Sequence, residues 1–291
     1  MLNKFGKVIE NASLINYNTY GISTSCNYLI KPDNIDNLIS LIEYLNNNDV
    51  KYYLLGCGSN VILPDNHFNG VIISLELLNN IKFDGNLVIA ECGVSLGVLV
   101  ANCINKSLEG LEYLALIPGT LGGALYGNAG VKDYTIYDNL ISVEVVRDNK
   151  LVKLLKDDIG IGYRHSSFKD NNDILVRAIF ELKKGNINDL KDIVKENRLK
   201  RQNSQPLEFK NAGSVFKNPE GDYAGRLIES VGLKGYSVGD AEVSTKHANF
   251  IINKGHATGS DIRKLIQIIK EKVYNEYKID LVLEQIIIDW D

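Results

Sequence analysis

The sequence predicts an α+β chain built from three successive units. Its 291 residues exceed what one hydrophobic core usually holds. Helical periodicity of apolar residues is confined to a few segments, chiefly 34–47, 96–105, 189–205 and 261–277. Between them lie short runs rich in β-branched and aromatic residues, bounded by turn residues, which read as strands.

Along the chain, an opening segment leads to a helix in which Ile35, Leu38, Ile39, Ile42 and Leu45 share a face. The strand KYYLL, at 51–55, runs into GCGSN, and a second strand follows at 71–75. Residues 1–75 thus form a small βαβ-type unit. The second unit, 76–205, is strand-rich, with NLVIAECG, NLISVEVVRD and DILVRAIFEL interrupted by one helix at 96–105. A charged amphipathic helix at 189–205 stops before Pro206 and connects to the third unit. That unit, 206–285, holds glycine-punctuated turns, the strand HANFIIN, the helix at 261–277 and a closing strand LVLEQIIID. Residues 286–291 form a terminal segment returning to the first unit.

Composition narrows the function. Net charge is −4, with 45% hydrophobic and 23% charged residues, which lacks the basic excess of a general nucleic-acid binder. The N-terminus has no apolar signal core, and no run approaches the ~18 apolar residues of a membrane span. A cytoplasmic protein with no membrane and no nucleic-acid partner is expected, as a monomer or weak oligomer. Cys26, Cys57, Cys92 and Cys103 contain no CxxC pair and read as reduced thiols. His67, His165, His247 and His256 are scattered, so no metal is expected.

Five short motifs carry chemistry. Gly56, Cys57, Gly58, Ser59 and Asn60 follow a strand, where glycines let a backbone approach a ligand and N–H groups can cradle a phosphate; a plain turn reads the same way. Pro118, Gly119, Thr120, Gly122 and Gly123 open a second glycine-dense stretch that continues to Asn128 and Gly130. Five glycines in twelve residues are entropically costly unless something needs close approach. Two such loops suggest one diphosphate-bearing ligand. Tyr163-Arg164 can clamp a carboxylate or phosphate through the guanidinium fork, or can be a solvated loop end. Gly213-Ser214 can present a hydroxyl on a tight turn, although GxSxG is absent. Glu284 interrupts an apolar terminal strand, as a solvent-facing alternate or as a carboxyl held in a site.

Taken in order, LGCGSN, PGTLGGALYGNAG, YRHSSF, GSVFKNP and LVLEQI resemble the UDP-N-acetylenolpyruvoylglucosamine reductase family. AGRLIESVGLKG and VSTKHANFIIN are similar to its C-terminal domain, so the likeness runs from about residue 18 to residue 284. The stretch from Arg164 to Ser214 is short, as in the lidless type. NTYGIS lacks the paired glycines of many relatives near Thr24 and Ser25.

The resemblance implies a two-part FAD-binding region of the vanillyl-alcohol-oxidase type and a C-terminal α+β substrate domain. It implies non-covalent FAD, NADPH as co-substrate and a small nucleotide-sugar substrate in peptidoglycan precursor synthesis. It places the FAD pyrophosphate on the two glycine loops. Arg164 falls on the family's catalytic Arg, Ser214 on its proton donor and Glu284 on its catalytic Glu. Tyr163, Lys217 and Asn218 are expected to bind substrate. A flavin oxidase of the same fold and a non-catalytic nucleotide-sugar binder are the competing readings. Strand alternation across LVLEQIIID puts Glu284 with Val282, Ile286 and Ile288 on one face, so an ionised carboxyl there is expected to need a compensating cation.

Overall fold

A computed structural model describes residues 2–131 and 133–290. The chain divides into two compact units. The first comprises Met1–Glu10, Tyr28–Gly56 and Gly70–Leu199; the second comprises Asn11–Asn27, Cys57–Asn69 and Lys200–Asp291.

Helices α1 (Ile35–Asn47), α2 (Leu96–Asn105), α3 (Leu121–Gly127) and α4 (Ile187–Ser204) precede α5 (Ala224–Ser230) and α6 (Gly259–Tyr277). The side chain of Asn34 caps α1 by accepting from the N–H of Asn37 at 2.8 Å. One α1 face buries Ile35, Leu38, Leu41, Ile42 and Leu45 in a first-unit core with Ile30, Val71 and Ile73. Strands Gly6–Ser13, Ser25–Pro32, Phe68–Ile73 and Tyr52–Leu54 make a sheet in that order, the last two parallel with Tyr52 opposite Val71.

A five-stranded antiparallel sheet follows, ordered Lys150–Leu155, Leu140–Arg147, Ile174–Glu181, Leu87–Glu91, Ile81–Asp84. Its Val88, Ala90, Val143, Val145, Ala178 and Phe180 bury against α2 and α3 residues, including Leu99 and Leu125.

In the second unit, Leu227 and Ile228 of α5 pack with Ile262, Leu265, Ile269 and Val273 of α6 and with Ala241, Val243 and Ile251 of a three-stranded sheet. Thr258 and Asp261 cap α6 reciprocally, at 3.0 Å each way. The Asp65 carboxylate accepts from the N–H groups of Gly259 and Ser260, which suits the positive end of the helix. Ile286–Ile287 pairs in parallel with Val61–Ile62.

Several expectations change. The opening segment, to which the sequence reading assigned no element, contains two eight-residue strands. The glycine-dense stretch is not all loop, since α3 lies inside it. Within HANFIIN only Ile251–Asn253 is strand. The closing strand is cut to Ile286–Ile287 by a bend at Gln285. No described helix is long and apolar enough to cross a membrane, and no group of metal-ligating side chains occurs among the described residues.

Candidate active site

In the first unit, the turn after Tyr52–Leu54 brings Gly56 against the start of α3. A Cβ on Gly56 would stand 2.9 Å from Thr120 Oγ1. Thr120 is the N-cap of α3 and accepts from the N–H of Gly123 at 3.2 Å. The N–H groups of Leu121 and Gly122 are already committed to the carbonyls of Val94 and Cys92, at 2.9 Å each. A Cβ on Gly122 would meet Cys92 at 3.2 Å, so this glycine lets the helix seat on the Cys92 backbone. Gly56, Pro118 and Gly123 are exposed around half-buried Gly119 and Thr120, leaving an open surface of small residues.

α3 ends on Asn128, a left-handed cap with φ 46°. The N–H of Ala129 returns to Ala124 O at 2.8 Å and that of Asn128 to Leu125 O at 3.2 Å. Opposite this cap stands a hairpin, Ile161–Gly162 paired with His165–Ser166, whose two-residue tip is Tyr163-Arg164. Arg164 is itself left-handed, φ 53°. Its Nη2 donates to Gly130 O at 2.8 Å and its Nη1 to Asn128 O at 3.4 Å. Tyr163 is 58% exposed, with the guanidinium 5.4 Å from its ring centre. Lys169 Nζ donates to Arg164 O at 3.1 Å.

The second unit holds the rest of the first glycine loop. Gly58 has φ +62°, and a Cβ there would lie 2.2 Å from Tyr17 O, so only glycine fits. Its carbonyl accepts from the N–H of Thr19 at 3.1 Å. Asn60 Nδ2 donates to Glu284 O at 3.1 Å, and Asn60 O accepts from the N–H of Ile286 at 3.0 Å. The loop therefore fixes the backbone on both sides of Gln285. Cys57 is exposed and Ser59 half-buried.

Ser214 and Glu284 come from distant sequence onto neighbouring backbones. The N–H of Glu284 donates to Val215 O at 2.9 Å, that of Lys217 to Val282 O at 2.8 Å, and Phe216 bridges Leu283. Ser214 and Glu284 are both half-buried. Asn218 Oδ1 accepts from the N–H of Ala224 at 3.1 Å, so its acceptor serves the start of α5; Lys217 is half-buried beside it. The expected apolar face around Glu284 is not formed. Val282, on that side, is 60% exposed, and the bend at Gln285 ends the alternation. Leu281, Gln285 and Ile288 are buried, and Glu284 and Ile286 are half-buried.

The sequence reading missed the buried amides that hold these segments. Gln285 Nε2 donates to Ala212 O at 3.0 Å and Gly213 O at 3.2 Å, while its Oε1 accepts from Tyr20 OH at 3.0 Å. Burial pushes the Tyr20 phenol well above its ordinary range, so it remains a neutral donor. Asn249 bonds both main-chain groups of Phe216, at 3.0 and 2.8 Å. Asn18 grips the ends of its own turn through Leu14 O, Ile22 O and the N–H of Ile22, at 2.8–3.0 Å.

Two family models match the chain. An FAD binding domain covers residues 26–153, and the C-terminal domain of UDP-N-acetylenolpyruvoylglucosamine reductase covers 205–288. A reductase of that name from Carboxydothermus hydrogenoformans is 41% identical over 95% of this chain and 92% of its own. The chain belongs to the UDP-N-acetylenolpyruvoylglucosamine reductase family. Another family member, from Caldicellulosiruptor saccharolyticus, is 39% identical over 92% of this chain and 88% of its own. The crystal structure of the family's enzyme from Thermus caldophilus superposes with a TM-score of 0.83, at 31% identity, over 97% of this chain and 98% of that one. The expected fold class, an FAD-binding region followed by a C-terminal α+β domain, is borne out. The C-terminal family match lies wholly within the second unit.

Proposed function

We infer that this chain reduces the enolpyruvyl ether of UDP-N-acetylglucosamine enolpyruvate to UDP-N-acetylmuramate, using NADPH and bound FAD. The observation that carries this is identity of 37–41% with reductases of that name along nearly the whole chain. The residues fit an FAD. An exposed glycine turn lies against Thr120 in a space that a Cβ on Gly56 would enter, which suits close approach by a diphosphate. Gly56, Cys57, Gly58, Ser59, Asn60, Pro118, Gly119, Thr120 and Gly123 would hold it. Bound FAD supplies reversible two-electron hydride chemistry.

The chain's own groups supply the rest. Hydride added at the enolpyruvyl methylene leaves negative charge on the neighbouring carbon and its carboxylate. Arg164, its fork oriented by the carbonyls of residues 128 and 130, binds that carboxylate. Ser214 donates the proton that the carbon takes up, a role that needs close placement because serine is a weak acid in water. Glu284 is the third catalytic group, the role that its place in LVLEQI gives it. Tyr163, Lys217 and the amide nitrogen of Asn218 contact the nucleotide sugar. Residues 1–75 and 76–205 serve the cofactor, 206–285 serve the substrate, and 286–291 return to the first of these. The protein acts as a cytoplasmic monomer or weak oligomer.

Anaerobic mixing is the test. Purified protein is expected to be yellow, to bleach with NADPH, and to recolour when the enolpyruvyl sugar is added, with UDP-N-acetylmuramate as product. A colourless protein that binds the sugar, or bleached enzyme that recolours only with oxygen, would overturn this reading.

A further inference from the structure

Asn128 is the most constrained polar residue beside Arg164. It is 4% exposed, sits at φ 46° at the end of α3, and faces the hairpin that carries Arg164. Its Nδ2 donates to Gly162 O at 2.7 Å, two residues before Arg164. Its main-chain carbonyl accepts from Arg164 Nη1 at 3.4 Å. Its Oδ1 is buried and makes no hydrogen bond among the described residues. Turning the amide over would set Oδ1 against the Gly162 carbonyl, so the donor orientation is fixed. Leaving Oδ1 unsatisfied is unfavourable, and the site tolerates it where an apolar side chain would avoid it. The amide is therefore kept for what Nδ2 does.

What Nδ2 holds is strained. Arg164 occupies the left-handed region, which a Cβ-bearing residue disfavours, on a hairpin only two pairs long. Strain of this kind persists only where surrounding contacts over-determine it, and it marks places where a side chain must point one way. The neighbouring contacts converge on the same tip. Lys169 Nζ holds the Arg164 carbonyl at 3.1 Å, and Ser166 Oγ donates to Tyr126 O of α3 at 2.8 Å.

We propose that Asn128 is a positioning residue for Arg164: it clamps the hairpin to the end of α3, so that the guanidinium meets the substrate carboxylate in one orientation. This reassigns Asn128 from cofactor ligand to the oxidative half of the reaction, and it rests on the role given to Arg164 above. Thereby the αL cap of α3 sets the angle of the Arg164 fork, and the binding geometry of the carboxylate follows from a helix terminus on the same unit.

Asn128→Gly tests it, because glycine keeps the left-handed cap and removes only the side chain. Its flavin reduction by NADPH is expected within about twofold of wild type, whereas flavin reoxidation by the enolpyruvyl sugar slows by about tenfold or more. The sugar's Kd is read separately from the flavin absorbance change of oxidised enzyme without NADPH, and it should rise. Asn128→Asp should be at least as impaired, since an ionised carboxylate has no proton for Gly162 O. Adding Asn128→Gly to Arg164→Lys should cost little beyond Arg164→Lys alone, as residues acting through one group are not additive. Reoxidation at the wild-type rate in Asn128→Gly, with Arg164→Lys slow, would overturn the positioning role alone. Equal loss in both half-reactions would return Asn128 to the flavin. Normal reoxidation in Arg164→Lys would instead remove the role given to Arg164, and the positioning inference with it.

Discussion

Arg164 and Ser214 are positioned by different devices. Arg164 stands at a hairpin tip in a strained backbone conformation, with main-chain carbonyls of residues 128 and 130 orienting its side chain. Ser214 sits on a turn after Gly213, whose preceding carbonyls are gripped from beneath by the buried side chain of Gln285. In the first region a charged, flexible side chain is disciplined by fixed backbone dipoles. In the second a short, stiff hydroxyl needs only its backbone placed, and side-chain amides do that. Long side chains must have their rotamers restrained locally, while short ones inherit precision from the main chain.

Loss of the amide support should give the largest effect. Gln285→Leu removes two donors and leaves the fully buried Tyr20 hydroxyl without its acceptor, so unfolding free energy should fall by about 3 kcal/mol. Urea denaturation measures it; an unchanged midpoint would mean that the turn before Ser214 is held by other contacts. Asn249→Ala deletes both bonds to Phe216 and should cost about 2 kcal/mol by the same assay. Arg164→Gly should act in the opposite direction. Glycine relieves the left-handed tip, so the protein should gain about 1 kcal/mol while losing reduction of the sugar. A destabilised Arg164→Gly variant would show that the guanidinium contacts outweigh the backbone strain.

Sequence pattern made part of this legible. Periodicity located α2 at 96–105 and found α1 and α6 to within a few residues because each has a recurrent apolar face, while α4 was marked by its charge pattern and its stop before Pro206. It did not find α3. Glycines at 122, 123 and 127 argue against a helix, and α3 forms because Gly122 can seat against Cys92 and Asn128 can close the end. The nearness of Ser214 to Glu284 was hidden for a different reason: it depends on pairing of 215–217 with 282–284, which no local pattern encodes. The supporting amides were hidden by composition. Asparagine is abundant throughout the chain, so Asn18 and Asn249 look like background until their burial and hydrogen bonds are seen. Glu284 shows the limit of alternation, since it precedes a bend at Gln285 and lies outside the short strand Ile286–Ile287.

The division of labour between a flavin-reducing half-reaction and a sugar-reducing half-reaction completed by Ser214 is the centre of this account. Stopped-flow absorbance on Ser214→Ala tests it most directly, following the flavin band after mixing with NADPH and then, in a second mix, with the enolpyruvyl sugar. The predicted result is bleaching at the wild-type rate and recolouring slowed by at least about a hundredfold. Recolouring at the wild-type rate would contradict it.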